Sequence, residues 1–302
     1  MGPMTAWEYH DRLVASLRER RDIEILTFAD AIRYNDRNYP WIRVASRDIA
    51  PEDPTVLLRC SYHGNEPLGA LFFLRRAVPM TEQLHRKGVK YIAYPMADPS
   101  GFETGERGGL AANEGYDDWV QYELENGTVV DGLGYGQRFS RWLWSSDPCL
   151  KMELSQETAL MHRCLRQDLT SRHIIAAVDV HQHTYVKEGD DAEKITKPGM
   201  YFYAFGGRKK RLRYNAIVNR VERRVPVLRN TWIAAGYNAP MQTDAYGCIV
   251  VHDGSFADAC YRAGIHNSTV LEITGATPEA LAEETALQWI IGNAEITQHT
   301  KT

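Results

Sequence analysis

Two periodicities of apolar and polar positions alternate along this chain. Residues 6–20, AWEYHDRLVASLRER, carry apolar side chains at helical spacing and predict a helix. Ile23–Phe28 (IEILTF) and Tyr39–Ser46 (YPWIRVAS) read as strands, adjacent to one another. Thr55–Ser61 (TVLLRCS) is a strand, and Leu68–Val78 begins a helix. Lys90–Met96 is a strand, and Leu154–Leu169 is a helix with Glu157 near its start. His173–His181, HIIAAVDVH, is almost wholly apolar, as a strand covered on both faces should be. Arg211–Leu228 reads as a basic amphipathic helix broken by Pro226, and Asn267–Gly275 as a strand. A closing helix over Thr277–His299 has Thr277 at its N-cap and Pro278 at its first helical position.

Strands alternating with helices predict an α/β fold, a mixed and mostly parallel twisted sheet with helices on both faces. No repeat, low-complexity tract or Pro/Gly linker divides the chain, so one catalytic domain is expected over residues 1–302. In such sheets ligands gather beyond the carboxyl ends of strands. His63, Asp98, His181 and Glu272 all fall at or just past predicted strand ends.

Composition narrows the function classes. The chain has 302 residues, 44% hydrophobic and 25% charged, with a net charge of −4, so bulk electrostatics do not point to nucleic acid. The one basic cluster, Gly206–Arg213, reads as a solvated helix entry or an anion contact. No apolar run reaches the ~18 residues of a membrane helix, and the polar N-terminal segment lacks the apolar region of a secretory signal. Five scattered cysteines without CxxC spacing argue against a disulfide framework and for buried thiols in a reducing cytoplasm.

The chemistry concentrates at the seam CSYHGNEPLGA, where a strand gives way to a helix. His63 and Glu66 are three apart, so one turn brings an imidazole and a carboxylate to the same side. Zinc accepts that mixture, and a catalytic site needs three protein ligands and an open position. His181, ending the apolar strand, is the leading third ligand, and Asp179 on the same strand face could orient it. His183, two residues on, shares that face and is the alternative.

Taken together these segments resemble the zinc carboxypeptidases, the carboxypeptidase A-like metallopeptidases. HGNEPLG (63–69) is similar to the family's HxxE motif, YPMADPSGFETGER (94–107) to its PxxNPDG…R segment, and GQRFSR (136–141) to its DLNRNFP. ELSQETALM (153–161) resembles the SEPET helix start, VDVHQHTY (178–185) the DLHS segment, and STVLEITG (268–275) the strand ending in a catalytic Glu. All six occur in the family's order.

The resemblance implies one zinc ion per chain held by His63, Glu66 and His181, polarising a scissile carbonyl and lowering the pKa of its water. It implies Glu272 as general base and Arg107 as stabiliser of the developing oxyanion. Arg138, with Gln137 in place of the family's Asn, would grip a terminal carboxylate. Tyr246 and His252 are the candidates for a further donor at the scissile bond. The implied substrate is a peptide or acylated amino acid with a free carboxylate, cleaved at the neighbouring amide bond. Residues 108–135, acidic and aromatic, form an insertion expected to act as a lid or specificity loop. A related deacylase group, resembling aspartoacylase and succinylglutamate desuccinylase, shares the HGNE and DLH signatures. Only about thirty residues follow Glu272 here, which suits the carboxypeptidase layout better. A non-catalytic binding module on the same fold is the remaining alternative.

Overall fold

The sheet is built outward from a hairpin. Strands β1 (Ile23–Tyr34) and β2 (Arg37–Ser46) pair antiparallel across a two-residue turn. Asn35 and Asp36 both take positive φ there, the conformation that matches strand twist in tight hairpins. β3 (Thr55–Cys60), β4 (Lys90–Tyr94), β7 (Ile174–His183) and β12 (Ser268–Thr274) follow, with β8 (Met200–Ala204) and β11 (Cys248–Ile249). The order across the eight-stranded sheet is β1-β2-β4-β3-β7-β12-β8-β11. β4, β3, β7 and β12 run parallel to one another, while β8 lies antiparallel to β12. Two small hairpins, β5–β6 (Gln121–Glu123 and Val129–Asp131) and β9–β10 (Trp232–Gly236 and Ala239–Gln242), lie outside it. This is a computed structural model, and it describes residues 4–113, 121–123, 129–131, 155–183, 197–206, 212–236, 239–250 and 255–298.

Helices cover both faces. Among the described residues the helices are α1 (Ala6–Leu17), α2 (Leu68–Arg86), α3 (Pro99–Thr104), α4 (Gly109–Asn113), α5 (Gln156–Ser171), α6 (Asn215–Glu222), α7 (Phe256–Arg262) and α8 (Glu279–Gln298). On one face Trp289 of α8 donates to Thr269 of β12, and Thr81 of α2 to Tyr91 of β4. On the other, Tyr94 of β4 donates to Asp168 of α5, and Phe256 of α7 packs on Arg59 of β3. Side chains alternate along a strand, so odd and even positions of β4 and β12 meet helices on opposite faces of the sheet. β7 sits between β3 and β12 with Ala176–Val180 fully buried, as its apolar run predicts.

Helix ends depart from expectation where tertiary contacts compete. α1 has a Thr5–Glu8 capping box and stops at Leu17. The helix expected over Arg211–Leu228, broken by Pro226, is the shorter α6, which ends at Glu222, four residues before the proline, and the Pro226 carbonyl accepts from the Met200 amide. Thr277 does not cap α8. Its hydroxyl bonds the Gly199 backbone and Thr274, and the Pro278 carbonyl accepts from Leu281 and Ala282, which places Pro278 before the first turn. Cys60, Cys164, Cys248 and Cys260 are buried free thiols. Among the described residues no helix is long and apolar enough to cross a membrane.

Candidate metal centre

The end of β3 sets the first two candidate ligands. Ser61 adopts a left-handed φ of 47°, which turns the chain out of the strand, and its hydroxyl donates to the Glu66 carbonyl and accepts from the Ala70 amide. A non-glycine residue in that region costs backbone energy and persists where surrounding contacts over-determine it. The turn it opens puts His63 Nδ1 2.7 Å from Glu66 Oε1. β7 delivers the third group: His181 Nδ1 lies 2.8 Å from Glu66 Oε2, and the two imidazole rings meet edge to face with centroids 4.9 Å apart. One ligand atom from each of His63, Glu66 and His181 falls within 4.8 Å of the others, and all three residues are buried.

Charges within this cluster explain each other. Burial pushes His63 down to about 4, with the Arg107 cation adding to the effect, so at neutral pH the ring is uncharged. Burial alone would raise Glu66, but His63 and His181 outweigh it and hold the carboxylate well below its usual range. Burial would likewise lower His181, but Asp179 and Glu66 reverse that, so its ring keeps a proton well above the ordinary histidine range. The site thus favours a positive charge between two buried carboxylates. A neutral imidazole, a carboxylate and a second imidazole are a donor set that suits zinc, which would take the place of that proton.

Asp179 behaves as the strand face predicts: its Oδ2 is 3.0 Å from His181 Nε2, leaving Nδ1 to face Glu66. His183 does not join the cluster; its Nδ1 is 2.9 Å from the Tyr201 hydroxyl. Glu272 on β12 pairs in register with His181 on one side and with Tyr201 of β8 on the other. Burial, reinforced by Glu66 and Asp179 against the pull of His181 and Arg107, pushes Glu272 up to about 8. Arg107 reaches the same carboxylate cluster, its Nη1 3.3 Å from Glu66 Oε1, with its side chain 40% exposed.

The segment carrying Arg107 is docked without side chains in the way. A Cβ on Gly64 would lie 2.1 Å from the Gly101 carbonyl carbon, and the Gly64 amide donates to the Arg107 carbonyl at 3.4 Å. Asp98, at the strand-end position singled out in the sequence, serves that segment rather than the ligand set. It accepts from the Gly101 amide at 2.8 Å, and burial, with the nearby Glu157 carboxylate, pushes it well above the usual range.

The remaining candidates divide by position. Tyr246 sits in the turn before β11, its amide donating to Asp244, and none of its described contacts reaches the His63–Glu66–His181 cluster. Gln137, Arg138 and His252, and most of the 108–135 insertion, lie outside the described residues. From the basic cluster, Arg213 bonds the His266 carbonyl. Arg59 was not among the sequence candidates, although an arginine inside the strand TVLLRC signals a paired charge, because an unpaired one is too costly to bury.

The fold is carboxypeptidase-like, and the His63–Glu66–His181 cluster lies at the ends of its central strands. The comparisons with solved structures agree on the fold. Bovine thrombin-activatable fibrinolysis inhibitor, solved with a tick carboxypeptidase inhibitor, matches with a TM-score of 0.59 at 14% identity, covering 98% of this chain and 97% of that one. A metallo-carboxypeptidase from Pseudomonas aeruginosa, in complex with (2-guanidinoethylmercapto)succinic acid, matches with a TM-score of 0.56 at 11% identity, covering 96% and 68%. One from Burkholderia cenocepacia matches at 0.51 and 11%, covering 97% and 68%. No protein-family model matches the chain, and no curated protein matches it in sequence.

Proposed function

We propose that residues 1–302 form one catalytic domain, a zinc-dependent hydrolase that cleaves a peptide or amide bond beside a free carboxylate. The observation that carries this reading is the convergence of His63, Glu66 and His181 from two strand ends, with Glu272 in register beside His181. When bound, one zinc ion supplies Lewis-acid polarisation of the scissile carbonyl and a more acidic water. The Glu272 carboxylate would accept a proton from the attacking water and return it to the leaving nitrogen as the C–N bond breaks. Its raised proton affinity suits a group that must hold a proton between the two transfers. Arg107, half-exposed beside Glu66, faces the negative charge that develops on the carbonyl oxygen. Arg138 and Gln137 take the substrate carboxylate, a task for which a guanidinium fork is well shaped. Tyr246 and His252 supply further substrate contacts. A succinic acid derivative in the Pseudomonas neighbour's complex supports a carboxylate-bearing substrate. The buried thiols fit a reducing cytoplasm.

The test is a substrate panel on zinc-loaded protein: peptides with free C-termini, the same peptides amidated, and N-acyl amino acids. Release of the C-terminal residue from the free peptides alone is expected. Turnover confined to N-acyl amino acids would replace the peptidase reading with a deacylase. Stoichiometric zinc without turnover of any arm would leave a binding module.

A further inference from the structure

Arg59 is fully buried in the middle of β3, directly opposite Asp179 of β7 in the parallel register. Its guanidinium grips both carboxylate oxygens: Nε donates to Oδ1 at 2.9 Å, and Nη2 donates to Oδ2. The same Oδ2 accepts from His181 Nε2. The guanidinium is itself confined, lying 3.9 Å from the centre of the Tyr62 ring and 4.9 Å from that of Phe256. Tyr62 precedes His63, and their rings are 5.2 Å apart.

Resting on the metal-site reading above, we propose that Arg59 is a positioning residue for the metal, acting through Asp179 to fix the ring of His181. A carboxylate held at one oxygen can still rotate about its Cβ–Cγ bond. Held at both, it presents Oδ2 in one direction, and the His181 ring must orient its Nε2 to meet it. Nδ1 is then the ring atom aimed at Glu66 and His63. Partners one step out from the ligands set ring orientation and tautomer in this way. Stability alone is a poor explanation for the pair, since a buried ion pair rarely outperforms apolar residues of the same volume. The contact through Tyr62 lets one guanidinium brace the approaches to both histidines. Lysine keeps the charge but lacks the two-pronged planar geometry.

The experiment compares the wild type with Arg59→Met, Arg59→Lys, Asp179→Asn and the Arg59→Met/Asp179→Asn double variant. Zinc affinity is measured by competition with a chromophoric chelator near neutral pH, and the cobalt-loaded proteins are examined for their visible ligand-field bands. Arg59→Met and Arg59→Lys should each weaken zinc about 10–100-fold and shift the cobalt bands. The double variant should lose no more than the worse single variant, because both residues act through one ring. Wild-type affinity and unshifted bands in Arg59→Lys would overturn the proposal, as would additive losses in the double variant. Should Arg59→Met fail to fold, as judged by circular dichroism, Arg59→Lys decides the question. A wild type that binds no zinc would overturn the metal-site reading itself, and the proposal with it.

Discussion

Glu272 stands directly opposite His181 in the parallel pairing of β7 and β12. Register partners on neighbouring strands project from the same face, so a carboxylate with raised proton affinity and a candidate metal ligand point into one space. Neither side chain depends on a loop for its placement. Substituting Glu272→Gln should therefore leave zinc binding intact while reducing kcat/KM by about 100-fold or more, the usual scale of a general base. Metal content by atomic spectroscopy and turnover on a free-C-terminus peptide check both halves.

The same carboxyl group makes a pH prediction for metal-free protein. Its folded pKa of about 8 lies above the ordinary 4.5. As pH rises through that interval, the unfolded chain releases the proton while the folded protein retains it, so stability falls. Glu272→Gln has no proton to lose. The difference in melting temperature between Glu272→Gln and wild type, measured in chelator, should grow in favour of the variant from pH 4.5 to about 8 and then level. Zinc should shrink it, since a nearby cation favours the carboxylate. A difference independent of pH would mean that Glu272 titrates alike in the folded and unfolded chains.

His181 and His183 share a strand face, so alternation alone does not separate them. Pairing does: His181 faces Glu272, whereas His183 faces Thr274 and has its Nδ1 2.9 Å from the Tyr201 hydroxyl. Alanine at His63 or His181 should abolish stoichiometric zinc, and alanine at His183 should retain it. Isothermal titration with zinc distinguishes the three, and metal loss in His183→Ala alone would reassign the ligand.

That choice illustrates what was legible in the sequence. Apolar runs identified β3, β7 and β12, longer stretches identified α2 and α8, and the HGNE seam located two of the clustered groups. Residues whose role is fixed by distant partners were not legible. Thr277 reads locally as a cap, but Gly199 claims its hydroxyl from 78 positions away. Arg59 reads as an odd charge in an apolar strand until Asp179 appears opposite it, 120 positions on. β8 is five residues long and rich in aromatics, too short for its period to declare itself before β12 pairs with it.

Gly64 lies between the candidate ligands His63 and Glu66, with no room for a side chain. Alanine there would drive its Cβ into backbone at Gly101 and Glu106, neither of which can rotate away. Gly64→Ala should cost about 1–3 kcal/mol or more in stability. It should also weaken zinc, because the turn that sets His63 against Glu66 would shift. Chemical denaturation and the chelator competition report the two effects, and a variant as stable as wild type would show that the 98–109 segment is free to yield.

Asp168 on α5 provides a contrasting test away from the ligand set. It accepts two bonds from Arg43 of β2, at 2.7 and 3.2 Å, and one from the Tyr94 hydroxyl at 2.6 Å. Both charged side chains are nearly inaccessible, 12% and 6% exposed. Asn at 168 would keep the volume but leave the Arg43 cation without its counter-charge. Breaking a buried pair from one side typically costs about 3–5 kcal/mol, whereas losing one neutral hydrogen bond costs about 1 kcal/mol. Asp168→Asn should therefore lower the urea midpoint several times more than Tyr94→Phe, with zinc affinity unchanged in both. Equal shifts for the two variants would show that Arg43 finds water or another acceptor, and that this cluster contributes through its hydrogen bonds rather than its charge.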